Sequence, residues 1–173
     1  MCTICDLKIE FSIDHPMSLP IAVATRRAID AGVLAAQAGK LSLRLEAINS
    51  LKAVQLRVEQ SLTLEDFLTL PDFFMLAVES RTWGFFRPTP DGFDPNCRPN
   101  PPLLSAEDPS ERDSVVVTSE TALRQLLAGK ISFAAAEEQA LIVIDADASR
   151  RKKLRSTWNI AYPKTGFSGF FCT

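Results

Sequence analysis

The stretch that decides the fold covers residues 115–158 and reads VVVTSETALRQLLAGKISFAAAEEQALIVIDADASRRKKLRSTW. It opens on three valines, which are typical of a buried strand because β-branched side chains favour that conformation. Ser119 then caps a predicted helix whose apolar residues lie three and four positions apart. Gly129 follows, at the position where a helix often ends in left-handed backbone. The first part of the stretch therefore predicts a strand followed by a helix.

The second part of the stretch repeats this order. Ser132 begins a short predicted helix that continues to Gln139. The apolar run over residues 141–144 predicts a strand buried on both faces. A basic helix is predicted to follow over residues 147–158. Strands and helices in this order predict a small mixed sheet with helices packed against it.

The residues before this stretch divide into a helical part and a β-rich part. Ser18 is predicted to cap a first helix, with Pro20 in its first turn. Thr63 is predicted to cap a short helix that ends before Pro71. Between them, a spacing of three and four predicts a long helix with one apolar stripe, made of Leu41, Leu45, Ile48, Leu51, Val54, Val58 and Leu62. Residues 73–78 and 82–86 are two short aromatic-rich runs that fit a hairpin, and residues 7–13 alternate like a half-buried strand.

Residues 87–112 form a proline-rich segment of a different kind. Seven of the eleven prolines lie between Pro88 and Pro109. Pro90, Asp91 and Gly92 predict a turn, because proline fixes φ and glycine accepts positive φ. A connection this long is an ordered surface loop, a ligand lid or a disordered segment, and composition alone leaves these three alternatives open. It is also a candidate surface for a protein partner.

The stretch at residues 114–158 resembles the C-terminal half of sterol-carrier-protein-like domains. Those domains show a strand, a helix that ends in a Gly-Lys step, a short helix, a strand and a closing helix. The matching segments here are residues 115–118, 123–130, 134–136 and 141–144. The family often has a glycine before the second strand, where this chain has Gln139 and Ala140. The resemblance implies a sheet and helices that enclose an apolar tunnel for acyl chains or sterols.

We therefore expect an α+β fold in a single domain over residues 1–173. A helical N-terminal half packs on a small mixed β-sheet, and a long proline-rich loop crosses the surface. The expected parts are a helix-rich part (14–71), a β and loop part (72–113), a sterol-carrier-like part (114–160) and an aromatic tail (161–173).

Composition excludes several classes of protein. The net charge of −2 argues against general nucleic-acid binding, which requires a basic face. No apolar run approaches the roughly 20 residues needed to cross a bilayer, so no transmembrane segment is expected. Asp6, Lys8 and Glu10 interrupt the first apolar stretch, which is therefore not a secretory signal peptide. These observations favour a cytoplasmic protein.

Four cysteines raise the question of a metal site. Cys2 and Cys5 have the two-residue spacing that lets two thiolates share one tetrahedral zinc ion or carry out redox chemistry. A complete site would need further ligands from His15, Cys97 or Cys172. Buried structural thiols are the alternative, because no second close pair is present.

Other candidate chemistry is weaker. His15 is the only histidine, and a catalytic dyad with a cysteine would need contacts that no local pattern predicts. The basic run at residues 150–155 is more simply a solvated helix face than a phosphate site. The aromatic residues near Trp83 fit a core better than a stacking platform for nucleobases.

The leading functional hypothesis is therefore a non-enzymatic binding module with an apolar pocket for an acyl chain, a sterol or a similar molecule. The residues expected to line the pocket are Trp83, Phe86, Leu126, Leu127, Phe133, Leu141 and Val143. A cysteine-ligated accessory or redox protein, and a subunit that binds a partner through residues 87–112, are the alternatives.

Overall fold

The computed structural model describes residues 14–36 and 43–163. The predicted strand at residues 7–13 and the last ten residues of the aromatic tail lie outside these ranges. The described chain has an α+β fold, as predicted, with helices packed around a small mixed sheet.

The first half of the chain is mainly helical and the second half alternates strands with helices. The elements in chain order are α1 (Ser18–Asp30), α2 (Leu43–Ser61), α3 (Leu64–Leu68), β1 (Phe73–Ala77), β2 (Thr82–Phe86), β3 (Pro88–Thr89), β4 (Gly92–Phe93), β5 (Val115–Thr118), α4 (Glu120–Leu127), α5 (Phe133–Glu138), β6 (Ile142–Asp145) and α6 (Ala148–Ala161). A single 3-10 turn, Pro109–Glu111, precedes β5.

The main sheet has the strand order β2-β1-β5-β6. β1 and β2 form the predicted antiparallel hairpin, with Phe73 opposite Phe86. β1 pairs with β5 in parallel, and β5 pairs with β6 in antiparallel orientation. The sheet is therefore mixed, and β6 is one of its two edges.

Helices cover the two faces of this sheet unequally. One face carries Met75 and Val116, which pack with Leu51 of α2, Leu123 of α4 and Trp158 of α6 in the larger core cluster. The opposite face carries a smaller cluster with Ile21 of α1, made of Phe74, Leu76, Trp83, Val115 and Val117. We call these the four-helix face, after α2, α4, α5 and α6, and the α1 face.

Side chains at the helix termini explain where the helices begin. The Oγ atoms of Ser119 and Ser132 accept hydrogen bonds from the third residue after each, at 3.0 and 3.2 Å. Thr63 caps α3 in the same way, and Asp147 caps α6 by accepting from two backbone N–H groups. Gly129 has a φ of +67° just after α4. These five residues confirm the predicted starts of α3, α4, α5 and α6 and the predicted end of α4, whereas α6 continues to Ala161, beyond its predicted end at residue 158.

Two sequence predictions about single residues and one about a strand were wrong. Ser18 is the first residue of α1 rather than its cap, because the backbone of His15 already accepts the Ser18 N–H in a turn. Leu45 is 60% exposed, although it shares the apolar stripe of α2, because the buried part of that stripe begins after it, with Ile48 and Leu51. The run at residues 141–144 is not buried on both faces: Val143 is only half-buried, because it lines an open cleft beside the α1 face.

The proline-rich segment contains more structure than its composition indicated. β3 and β4 form a small hairpin around the predicted turn, in which Gly92 has a φ of +112°. Phe93 is buried against Phe67, Phe73 and Phe86. The packing of Phe93 therefore holds the start of this segment against the core.

Candidate ligand-binding site

The residues predicted to line a pocket do not share one space. Phe86, Leu126, Phe133 and Leu141 belong to the core on the four-helix face, and Leu127 packs at its margin. Trp83 and Val143 lie on the α1 face. Trp83, Phe86, Leu126, Phe133 and Leu141 are each at most 1% exposed. A ligand among these residues would require the core to open, and binding there stays a prediction.

An open apolar groove lies instead beside α1. It has a volume of about 680 Å³. One wall is the side of α1 that carries Leu19, Val23 and Arg27, which recur every four residues and so lie along one stripe. Val33 closes one part of the groove, and Gln139 and Ala140 form the other wall. Leu19 is 73% exposed and Val33 is 46% exposed, so the groove presents apolar surface to solvent.

α1 therefore has two apolar sides, of which one is buried and the other is exposed. Ile21 and Ala28 point into the protein and are buried. Leu19 and Val23 lie on the adjoining side and stay exposed. An exposed apolar patch of this kind commonly marks an interaction site rather than a structural need.

The second wall of the groove owes its shape to the end of α5. Ala140 has a φ of +54°, a left-handed backbone that favours glycine. The backbone N–H of Ala140 bonds to Glu137, and that of Leu141 bonds to Ala136, which terminates the helix and directs the chain into β6. Alanine at this position places a methyl group in the groove where glycine would place none.

Arg27 supplies a positive charge at this groove. It is an exposed residue in the last turn of α1, next to Arg26, which pairs with Asp30 at 3.0 Å. Within the described residues, no carboxylate lies at ion-pair distance from Arg27. The groove thus combines apolar walls with one cation, Arg27, that no carboxylate of residues 14–36 or 43–163 neutralises.

His15 lies outside the groove, at the start of α1. Its buried ring accepts the N–H of Met17 at Nδ1, 3.1 Å away. Nε2 lies 3.1 Å from a carboxylate oxygen of Asp145, in an oblique approach that does not make a well-aligned hydrogen bond. Burial lowers the pKa of His15, and the negative charge of Asp145 opposes that shift. The ring therefore lies between the residue that precedes α1 and the end of β6, and burial favours its neutral form.

Two glutamates form a reciprocal pair that no sequence pattern predicted. Glu120 accepts the N–H groups of Glu79 and Ser80 at 3.0 and 2.7 Å, and Glu79 accepts the N–H of Glu120 at 2.6 Å. The carboxylate of Glu79 lies at the start of α4, where loss of water raises its pKa. Both carboxylates are engaged with backbone donors, which is a structural role. Their separation of 41 positions gave no local signal.

The described residues provide no metal site. No group of three or more histidine, cysteine, aspartate or glutamate side chains is placed there to hold an ion. Cys97 is half-buried with a free thiol. Cys2, Cys5 and Cys172 lie outside the described ranges, so the predicted cysteine site stays a prediction.

Most cations of the basic run in α6 have partners. Arg150 pairs with Asp147, Lys153 with Asp66, and Arg155 with Glu137. Arg151, Lys152 and Arg155 are exposed, which agrees with the prediction of a solvated helix face. Trp83 is fully buried, so it is not exposed for stacking on nucleobases.

No protein-family model matches the chain, and neither a curated protein nor a solved structure matches it. The resemblance to sterol-carrier-like domains therefore stays a prediction. In the part of the chain that is described, no helix is both long and apolar enough to cross a membrane.

Proposed function

We propose that this protein is a non-enzymatic carrier that binds a long-chain carboxylic acid in the groove beside α1. The observation that carries the proposal is the groove itself, an apolar space of about 680 Å³ with one cation at its wall. Its volume lies in the range of about 300–1,000 Å³ that is usual for small-molecule sites. An acyl chain fits the exposed apolar stripe, and its carboxylate fits Arg27.

The energetics favour a ligand with a long apolar chain. Each methylene that leaves water contributes about 0.8 kcal/mol, which is roughly a fourfold gain in affinity. The exposed charge pair with Arg27 contributes less, on the order of 0–1 kcal/mol, because water screens it. Chain length should therefore set the affinity, and Arg27 should set the preference for an acid over an alcohol.

Isothermal titration with saturated fatty acids of increasing length, below their critical micelle concentrations, tests this proposal. We expect saturable binding with an affinity that rises with chain length until the groove is filled. The change Leu19→Asp should abolish it, because it places a charge on the apolar wall. Leu19 is exposed in the first turn of α1, where an aspartate is tolerated or favoured, so the fold should be retained.

Matched variants separate this site from binding elsewhere. Leu56→Asp makes the same change at a 55% exposed leucine of α2 away from the groove, and should leave binding intact. Arg27→Gln should reduce the affinity for the acid but not for the matching alcohol, whereas Arg26→Gln should change neither. The proposal would be refuted if no saturable binding is observed, or if Leu19→Asp and Leu56→Asp reduce the affinity for the fatty acid equally.

A further inference from the structure

A second open feature is the outer edge of β6. Within the described residues, β6 pairs with β5 on one side and has no strand on the other. In the described ranges, no other backbone group pairs with the N–H and C=O groups of β6 that point away from β5. Native proteins commonly cover or blunt such an edge, since it is a template for strand pairing.

This edge lies in a cleft of about 510 Å³ rather than on a flat surface. On the side of the four-helix face, Arg151 and Arg155 of α6 line the cleft. On the side of the α1 face, Pro16, Met17 and Leu104 line it. One wall is therefore cationic and the other is apolar.

The charges of the cleft do not cancel. Arg155 is neutralised by Glu137 at 2.7 Å. Arg151 donates to the carbonyl oxygen of Ala146 at 2.7 Å, and Arg112 donates to that of Ala106 at 2.9 and 3.1 Å. Carbonyl groups hold both guanidinium groups in place without removing their charge. Asp145 is the other carboxylate of the lining, so among the described residues the cleft carries three arginines against two carboxylates, an excess of one positive charge.

We propose that the cleft binds an extended acidic peptide of a partner protein, which pairs with β6 as an added strand. Successive side chains of a strand point to opposite faces, so every second residue would face the arginines and the others would face Met17 and Leu104. The geometry thus selects a segment in which acidic and apolar residues alternate. Backbone hydrogen bonds supply affinity in this mode, and the alternating side chains supply specificity.

The proposal is independent of the fatty-acid groove, since the two sites share no lining residue. A second copy of this chain is a poor occupant, because pairing two β6 edges would bring two sets of arginines together. The charge of the cleft therefore favours a different, acidic partner.

Residue-resolved amide hydrogen exchange on the full chain tests the proposal, with the synthetic peptide acetyl-Glu-Val-Glu-Val-Glu-Val-amide as the probe. We expect the amides of Ile142–Asp145 that point away from β5 to exchange quickly in the free protein and to be protected by the peptide. The same peptide with lysine in place of glutamate should protect them far less at equal concentration. A version with proline in place of valine should not protect them, because proline cannot donate a backbone hydrogen bond.

Charge variants complete the experiment. Arg151→Gln should lower the affinity for the acidic peptide at least about threefold, because it removes a charge at the rim of the binding site. Lys152→Gln removes the same charge from the next residue, which is exposed and outside the cleft, and should leave affinity unchanged. Equal effects of the two variants would overturn the proposal. Tighter binding of a peptide with the sequence of residues 7–13, or amides of β6 already fully protected in the free protein, would also overturn it, since the occupant would then belong to this chain.

Discussion

The buried carboxylate of Glu120 joins two distant parts of the chain. Its two oxygens accept the N–H groups of Glu79 and Ser80, in the turn between β1 and β2. Glu120 is 1% exposed, so water cannot take over these bonds. A buried donor that loses its acceptor costs about 1–3 kcal/mol. The turn is therefore held by one side chain of α4.

Glu120→Gln is expected to lower the free energy of unfolding by about 1–3 kcal/mol. Glutamine keeps one acceptor oxygen but presents an NH₂ group to the second backbone donor, which is left without a partner. Urea denaturation at neutral pH measures the change. Glu65→Gln, at an exposed glutamate in the first turn of α3, is the control and should shift stability by less than about 0.5 kcal/mol. Similar shifts for the two variants would show that the two hydrogen bonds contribute little.

At the scale of elements, the approach of α2 to the sheet depends on one glycine. A Cβ atom at Gly84 of β2 would lie 3.2 Å from a methyl group of Leu51 and 3.1 Å from the ring of Phe86. Leu51 is fully buried, and real Cβ atoms rarely come so close to a neighbour. Gly84 has no positive φ, so the restriction arises from packing and not from the backbone.

Gly84→Ala is therefore expected to destabilise the protein by about 1–3 kcal/mol through overpacking. Leu51→Ala alone should cost about 2–5 kcal/mol, because it leaves a cavity. In the double variant the new methyl group occupies part of that cavity, so the total loss should be smaller than the sum. A double-mutant cycle by chemical denaturation measures this coupling. The pair Gly84→Ala and Leu126→Ala, which are not in this contact, should be additive, and additivity in both cycles would contradict the packing argument.

The elements themselves were largely predictable because their signals are local. Ser119, Ser132 and Asp147 cap helices through bonds to residues two or three positions away, so a short window of sequence contains the whole interaction. Leu45 shows what a short window of sequence cannot predict, namely whether a residue on the apolar side of a helix is buried. Periodicity places it on the apolar side of α2, but its exposure depends on which other elements reach that turn.

At the scale of the whole molecule, the candidate site was not predictable from the sequence. The stripe of Leu19 and Val23 has the same spacing as a core stripe, and only the packing of α1 shows which of its two apolar sides stays open. Likewise, Trp83 and Phe86 look equally suited to line a pocket. The register of β1 and β2 places them on opposite faces of the sheet, where both are buried.

His15 is buried between the residue that precedes α1 and Asp145 at the end of β6, and so its protonation is expected to change the stability of the fold. Its pKa in the folded protein lies below its usual 6.5, chiefly because of burial. The unfolded chain therefore binds the proton more readily than the folded chain. The stabilisation from neutral His15 is fully present above about pH 6.5 and is lost as the pH falls toward the lowered value. Protonation at Nδ1 would also replace the acceptor of the Met17 N–H with a donor.

We expect the free energy of unfolding to fall more steeply between pH 7 and pH 5 in the natural protein than in His15→Asn. The limit for one proton is about 1.4 kcal/mol per pH unit. Asparagine keeps an acceptor near the Met17 N–H but does not titrate, and the chain has no second histidine to confuse the comparison. Urea denaturation at several pH values gives both curves, and the opposite contribution of Glu79, whose pKa is raised, cancels in their difference.

Asp145→Asn removes the charge that supports protonation of His15, so it should extend the steep region to lower pH. Parallel curves for the natural protein and His15→Asn would show that His15 has the same pKa in the folded and unfolded chains, and the proposed effect of its burial on stability would then be wrong.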